Sequence, residues 1–150
     1  MMILIKTFDR RNLPTKAEQE NIATFLFTHL EQYGDPLSDI EKCIQYAIQE
    51  IHSPGGLLVT ASDNDVLTGA VILNKTGMSG YIPENILVYI AIHKDYRGLG
   101  IGKQLMSEAI ARSEGDIALH VEAYNPAKKM YESLGFTNKY LEMRLSKKIN

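Results

Sequence analysis

Apolar and polar residues alternate across residues 2–8, the period-two pattern of a half-buried strand, until Asn12-Leu13-Pro14 interrupts it. The period then becomes helical. Ala17, Ile22, Phe25, Leu26 and Leu30 share a face behind Thr15-Lys16-Ala17-Glu18, which has the form of a capping box, and Tyr33-Gly34 stops the run. Gly34-Asp35-Pro36 reads as a turn. Ser38-Asp39-Ile40-Glu41 has the form of a second capping box and predicts a helix with Ile40, Cys43, Ile44, Ala47 and Ile51 on one face, ended by Ser53-Pro54-Gly55-Gly56. Residues 57–61 and 66–73 read as two strands joined at Ser62-Asp63-Asn64-Asp65. The segment 74–85, which carries Gly77, Gly80 and Pro83, is the longest irregular connection, a length at which loops are often functional.

Beyond that loop the pattern predicts a fully apolar strand at 86–92, a glycine-rich segment, a helix to about Ser113 and a strand at 117–122. A helix at 125–134 and a last strand at 140–145 complete it. The order β-α-α-β-β-β-α-β-α-β places the chain in the α/β class, as a mixed sheet with helices on its faces. No repeat, low-complexity tract or linker interrupts it, so residues 1–150 are expected to form a single domain.

Composition narrows the function. The longest apolar run, residues 86–92, is far short of the ~20 residues that span a bilayer, and the N-terminus lacks a basic leader, so a cytoplasmic protein without a membrane partner is expected. Basic and acidic residues number 16 and 18 and are well mixed, which leaves no broad positive face for nucleic acid. The single Cys43 falls on the apolar face of its helix and reads as core. His29, His52, His93 and His120 lack the spacing of a metal site, so no metal is expected.

The chemistry is carried by Arg97-Gly98-Leu99-Gly100-Ile101-Gly102, set between the apolar strand and a helical pattern. Glycines free successive N–H groups to approach an anion, and the helix start adds the positive end of its dipole. A P-loop is excluded, because Gly102 is followed by Lys103-Gln104 with no hydroxyl for magnesium. A dinucleotide fold needs a different glycine spacing, although Glu122 stands where its acidic residue would.

The segment from Arg97 to Gly102 fits the signature [QR]-x-x-G-x-[GA] of the GNAT superfamily of acyl-CoA-dependent N-acyltransferases. Asn125-Pro126-Ala127-Lys128-Lys129-Met130-Tyr131-Glu132-Ser133-Leu134-Gly135-Phe136 resembles the second signature of that family. The resemblance covers residues 86–145. It implies a mostly antiparallel sheet in which the strands at 86–92 and 117–122 form a splayed parallel pair, with acetyl-CoA as acyl donor in the gap. By the same resemblance the main chain of Ile90, Ala91 and Ile92 holds the thioester and pantetheine arm. Arg97, Gly98, Leu99, Gly100, Ile101, Gly102 and Lys103 hold the diphosphate, and Asn125, which on its own reads as a helix N-cap, lies against the cofactor or the attacking nitrogen. Tyr131 contacts the sulfur and acts as general acid toward the leaving thiolate.

Relatives often carry a Glu where this chain has Ile86. Glu84 projects to the same face one pleat earlier and is the candidate base, acting through water. Tyr89 and His120 are further candidates. Glu31, Asp35, Asp39 and Glu84 place negative charge where the acceptor is expected to enter. The implied reaction is direct acetyl transfer to a primary amine on a small molecule or peptide, by a monomer or homodimer. The alternative is a CoA-binding regulatory or interaction module that has lost catalysis.

Overall fold

The computed structural model describes residues 1–147, and the chain divides into two compact units, Met1–Leu119 and His120–Asn150. In the first unit the elements run β1 (Ile3–Phe8), α1 (Lys16–His29), a 3-10 turn (Glu31–Tyr33), α2 (Leu37–Ala47), β2 (Gly56–Asp63), β3 (Val66–Lys75), β4 (Asn85–Ile92), α3 (Ile101–Arg112) and β5 (Ile117–Leu119). They build a five-stranded sheet in sequence order, antiparallel from β1 to β4 and parallel between β4 and β5. The mixed sheet is the one the element order implies.

Local chemistry accounts for the joints. The β2–β3 hairpin turns on Asn64 and Asp65, both at positive φ (48° and 68°), the two-residue geometry that matches strand twist. Thr15 and Glu18 form the expected reciprocal capping box. The second box does not form: α2 begins at Leu37 behind Pro36, one residue before Ser38, so the serine lies in the first turn rather than at the cap. Leu26, Ile40, Ile44, Ala47, Leu58, Ile72, Tyr89 and Ala91 pack α1 and α2 against one face of the sheet. The other face receives α3 closely, since a Cβ on Gly69 would lie 2.7 Å from Leu105 Cδ1.

In the second unit α4 (Ala127–Ser133) ends in a Schellman motif. Gly135 at φ 100° donates to the Glu132 carbonyl and Phe136 to the Tyr131 carbonyl, while the Tyr131 and Phe136 rings stand 5.9 Å apart. Two expectations fail near this unit. The strand expected at 117–122 stops at Leu119, where its ladder with β4 ends. Residues 140–145 form no strand: Tyr140, Leu141, Met143 and Leu145 are exposed, and a period-two pattern without a ladder partner is not stable alone. Among the described residues no helix is long and apolar enough to cross a membrane.

Candidate active site

Strand β4 carries the unusual feature of the first unit. Its ladder with β5 has only the rungs Asn85↔Ile117, Ile86↔Ala118 and Leu87↔Leu119, whereas its ladder with β3 continues to Ile92. The β3 register shifts between Ile72↔Tyr89 and Leu73↔Leu87, which makes Val88 a bulge at the point where β5 leaves off. From Val88 onward one edge of β4 has no strand partner among the described residues.

Alternation in an antiparallel ladder decides which groups face that open edge. The His93 N–H donates to the Thr68 carbonyl (2.8 Å), so Ala91 and Tyr89 also bond toward β3, and Ile90 and Ile92 turn their N–H and C=O groups outward. The Arg97 guanidinium confirms the direction. Its Nε donates to the Ile92 carbonyl at 3.1 Å, and its Nη2 donates to the His29 carbonyl (3.1 Å) and to Glu31 Oε1 (3.2 Å).

The glycine-rich loop follows directly. Gly98 and Gly100 adopt φ of 78° and 82°, a region that side chains rarely tolerate, and no atom lies within 4 Å of a Cβ built on either. Glycine is therefore required by conformation, and the space above the loop is open. Gly100 stands at the N-terminus of α3 without a side-chain cap. Among the described residues none of the backbone N–H groups from Gly98 to Lys103 donates a hydrogen bond. With no acid in the first turn of α3, these donors and the helix dipole form a surface suited to a diphosphate.

The acidic residues singled out from the sequence have distinct fates. Glu84 Oε1 accepts from the Asp116 N–H (2.8 Å) and Oε2 from the Gly80 N–H (3.1 Å), and these backbone bonds hold its carboxyl below the usual value. A Cβ on Gly115 would meet the Glu84 side chain at 2.6 Å, so that glycine makes room for the contact. Glu84 thus ties the 74–85 loop to the α3–β5 turn, a role the sequence did not signal. The proposed base role draws no support from this arrangement, since two fixed donors make the carboxylate a poor proton acceptor. Glu31 pairs with Arg97. Asp35 accepts a hydrogen bond from the Tyr89 hydroxyl, a pairing across 54 positions of sequence.

Around the Ile92 end, His29 and His93 stack with ring centroids 4.3 Å apart, and Tyr96 meets His93 edge-on at 5.4 Å. Burial, then the charges of His93 and Arg97, lower the pKa of His29. Cys43 is mostly buried, its thiol pushed up to about 12 by burial, and Asn74 Nδ2 reaches its sulfur at 3.3 Å. In the second unit, Asn125 Oδ1 accepts from the Ala127 N–H (2.9 Å), closing a turn just ahead of α4, whose N-cap position is Pro126, and burial raises Tyr131 to about 12. Among the described residues no three His, Cys, Asp or Glu side chains are grouped to hold a metal ion.

An open strand edge thus runs into an uncapped glycine-rich helix start, and comparison with known proteins places the chain in a family. Residues 54–138 match the Acetyltransferase (GNAT) domain, and the chain belongs to this family of acetyltransferases. No curated protein sequence matches it. Solved structures share the fold. The aminoglycoside N-acetyltransferase AAC(6')-Iy, in complex with CoA, is 15% identical with a TM-score of 0.72, over 99% of this chain and 96% of that one. A ribosomal-protein-alanine N-acetyltransferase from Brucella melitensis biovar Abortus 2308 is 18% identical at 0.66, over 97% and 99%. A GNAT family acetyltransferase from Streptococcus pneumoniae TIGR4 is 19% identical at 0.69, over 99% and 100%.

Proposed function

We propose that this protein is a cytoplasmic N-acetyltransferase, acting as a single catalytic domain, that moves the acetyl group of acetyl-CoA to a primary amine by direct attack in a ternary complex. The observation that carries the reading is the outward main chain of Ile90 and the outward Ile92 N–H, the Ile92 carbonyl being already bonded to Arg97, running into the unused N–H groups of Gly98 to Lys103. Unpaired backbone groups are costly unless a ligand pairs them, and a pantetheine arm and diphosphate offer matching donors and acceptors in that order. That the aminoglycoside enzyme was solved with CoA supports the same ligand here. Ala91 bonds toward β3, so in this reading it aligns the strand rather than pairing with the arm.

Bound there, acetyl-CoA supplies an activated acyl group on a thiol leaving group. An outward N–H of Ile90 or Ile92 polarises the acyl carbonyl, and the dipole of α3 offsets diphosphate charge. Tyr131, its phenol kept protonated by burial, donates the proton that the departing thiolate takes, and Asn125 sets the start of the helix carrying it. No metal enters this scheme. The acceptor is an amine of a small molecule or peptide, and the chain acts as a monomer or homodimer.

The test is release of free CoA thiol with a panel of primary amines. Wild-type turnover is expected, and Tyr131→Phe is expected to bind acetyl-CoA normally but turn over at least ~100-fold more slowly. Unchanged turnover in the variant would refute the assigned role of Tyr131, and no turnover with any amine would refute the transferase reading.

A further inference from the structure

Glu84 and Glu31 are held by other groups, and position 86 is apolar, which leaves no free acid on the first splayed strand. The structure supplies one from elsewhere. Tyr89 is the first residue past the Val88 bulge and next to Ile90, and its buried ring carries the hydroxyl to the turn before α2, where it donates to Asp35 Oδ2. Asp35 is exposed. Its other oxygen accepts no hydrogen bond, and no cation pairs with it, among the described residues. Asp39 and Cys43 are the other ionisable groups near this hydroxyl, and neither is a cation.

Position along β4 gives the pair its meaning. The diphosphate surface lies beyond Ile92, so a donor laid along the open edge places its acyl end toward Val88, about 13 Å away at ~3.3 Å per residue. That is the end at which Tyr89 stands. Resting on the acetyl-transfer reading, we infer that Asp35, oriented by the Tyr89 hydroxyl, is where the ammonium group of the acceptor docks and gives up its proton. The N–H bond breaks, a carboxyl O–H forms, and the freed nitrogen lone pair attacks the acetyl carbon. The C–N bond forms as the C–S bond breaks, sulfur keeps that electron pair and takes the Tyr131 proton, and of the two protons lost by nitrogen, one held on Asp35, one restores Tyr131 through solvent and the other leaves. Amide, thiol and one net proton balance the ammonium and thioester consumed. Tyr89 is a positioning residue: its buried ring holds the hydroxyl in place, and that bond fixes one carboxylate oxygen so that the other faces the acceptor.

The acceptor pair ethylamine and 2,2,2-trifluoroethylamine tests this, because they are similar in shape but the fluorinated amine is unprotonated at neutral pH and needs no base. Asp35→Asn is expected to lose at least ~100-fold in kcat/KM with ethylamine and only a few-fold with trifluoroethylamine, while keeping wild-type affinity for acetyl-CoA. Tyr89→Phe, which keeps the ring and the packing, is expected to show the same bias more weakly. Equal losses with both amines would make the pair structural and overturn the inference, as would no loss with either. A wild-type protein that binds acetyl-CoA but acetylates neither amine would also overturn it. Failure to bind acetyl-CoA at all would instead sink the acetyl-transfer reading.

Discussion

Gly100 shows what a single residue contributes. Its φ of 82° lies where a Cβ is strained, yet nothing would touch that Cβ, so Gly100→Ala isolates conformational strain from steric clash. A stability loss of roughly 1–2 kcal/mol in urea unfolding is expected, with weaker acetyl-CoA binding because the loop donors are misaligned. Unchanged midpoint and affinity would contradict the role given to the loop. Cys43 makes the opposite case, a reactive atom type made inert by burial. With its thiol pushed up to about 12, Ellman's reagent at pH 8 is expected to label it only on unfolding, and rapid labelling of the native protein would contradict its placement. His29 carries a pH dependence. Its folded-state pKa lies below 6.5, so the unfolded chain takes up a proton more readily, and stability present above pH 6.5 falls as the pH drops below it. His29→Gln is expected to flatten that decline between pH 7.5 and 5.5 in urea titrations.

Among the elements, the sequence was most legible where one local rule decided the outcome. The Thr15 to Glu18 box, the α2 face at Ile40, Cys43, Ile44 and Ala47, the apolar β4 and the glycine pair opening α3 follow from spacing, whereas Ile51, expected on the α2 face, lies beyond the helix end at Ala47 and is exposed. Thr15→Ala is accordingly expected to cost about 1 kcal/mol in thermal unfolding. The Gly135-Phe136 pair also has a local cause, since its Schellman bonds place Phe136 beside Tyr131. What the sequence did not disclose depends on groups far apart in the chain. The end of β5 at Leu119 coincides with a bulge in another strand at Val88. Glu84 was read as a base because side chains alternate, but backbone donors at Gly80 and Asp116 claim it. The Tyr89 to Asp35 bond joins two residues with no shared motif, and only tertiary contact reveals it.

For the whole molecule, the family motif identified the class, and in the proposed reading the open edge is what the acyl donor pairs with. A strand pair held at one end by three rungs and left apart beyond a bulge offers backbone to a ligand without unfolding anything. Saturating acetyl-CoA, at ~100 times its dissociation constant, should accordingly add about 2.7 kcal/mol of stability. The most direct test of the central claim is amide hydrogen exchange resolved to single residues, with and without acetyl-CoA. Protection is predicted at Ile90, Ile92 and Gly98 to Lys103, with little change at Ala91 and Tyr89, whose N–H groups already bond to β3. Binding that left Ile90, Ile92 and the glycine loop exchanging as in the free protein would contradict the account.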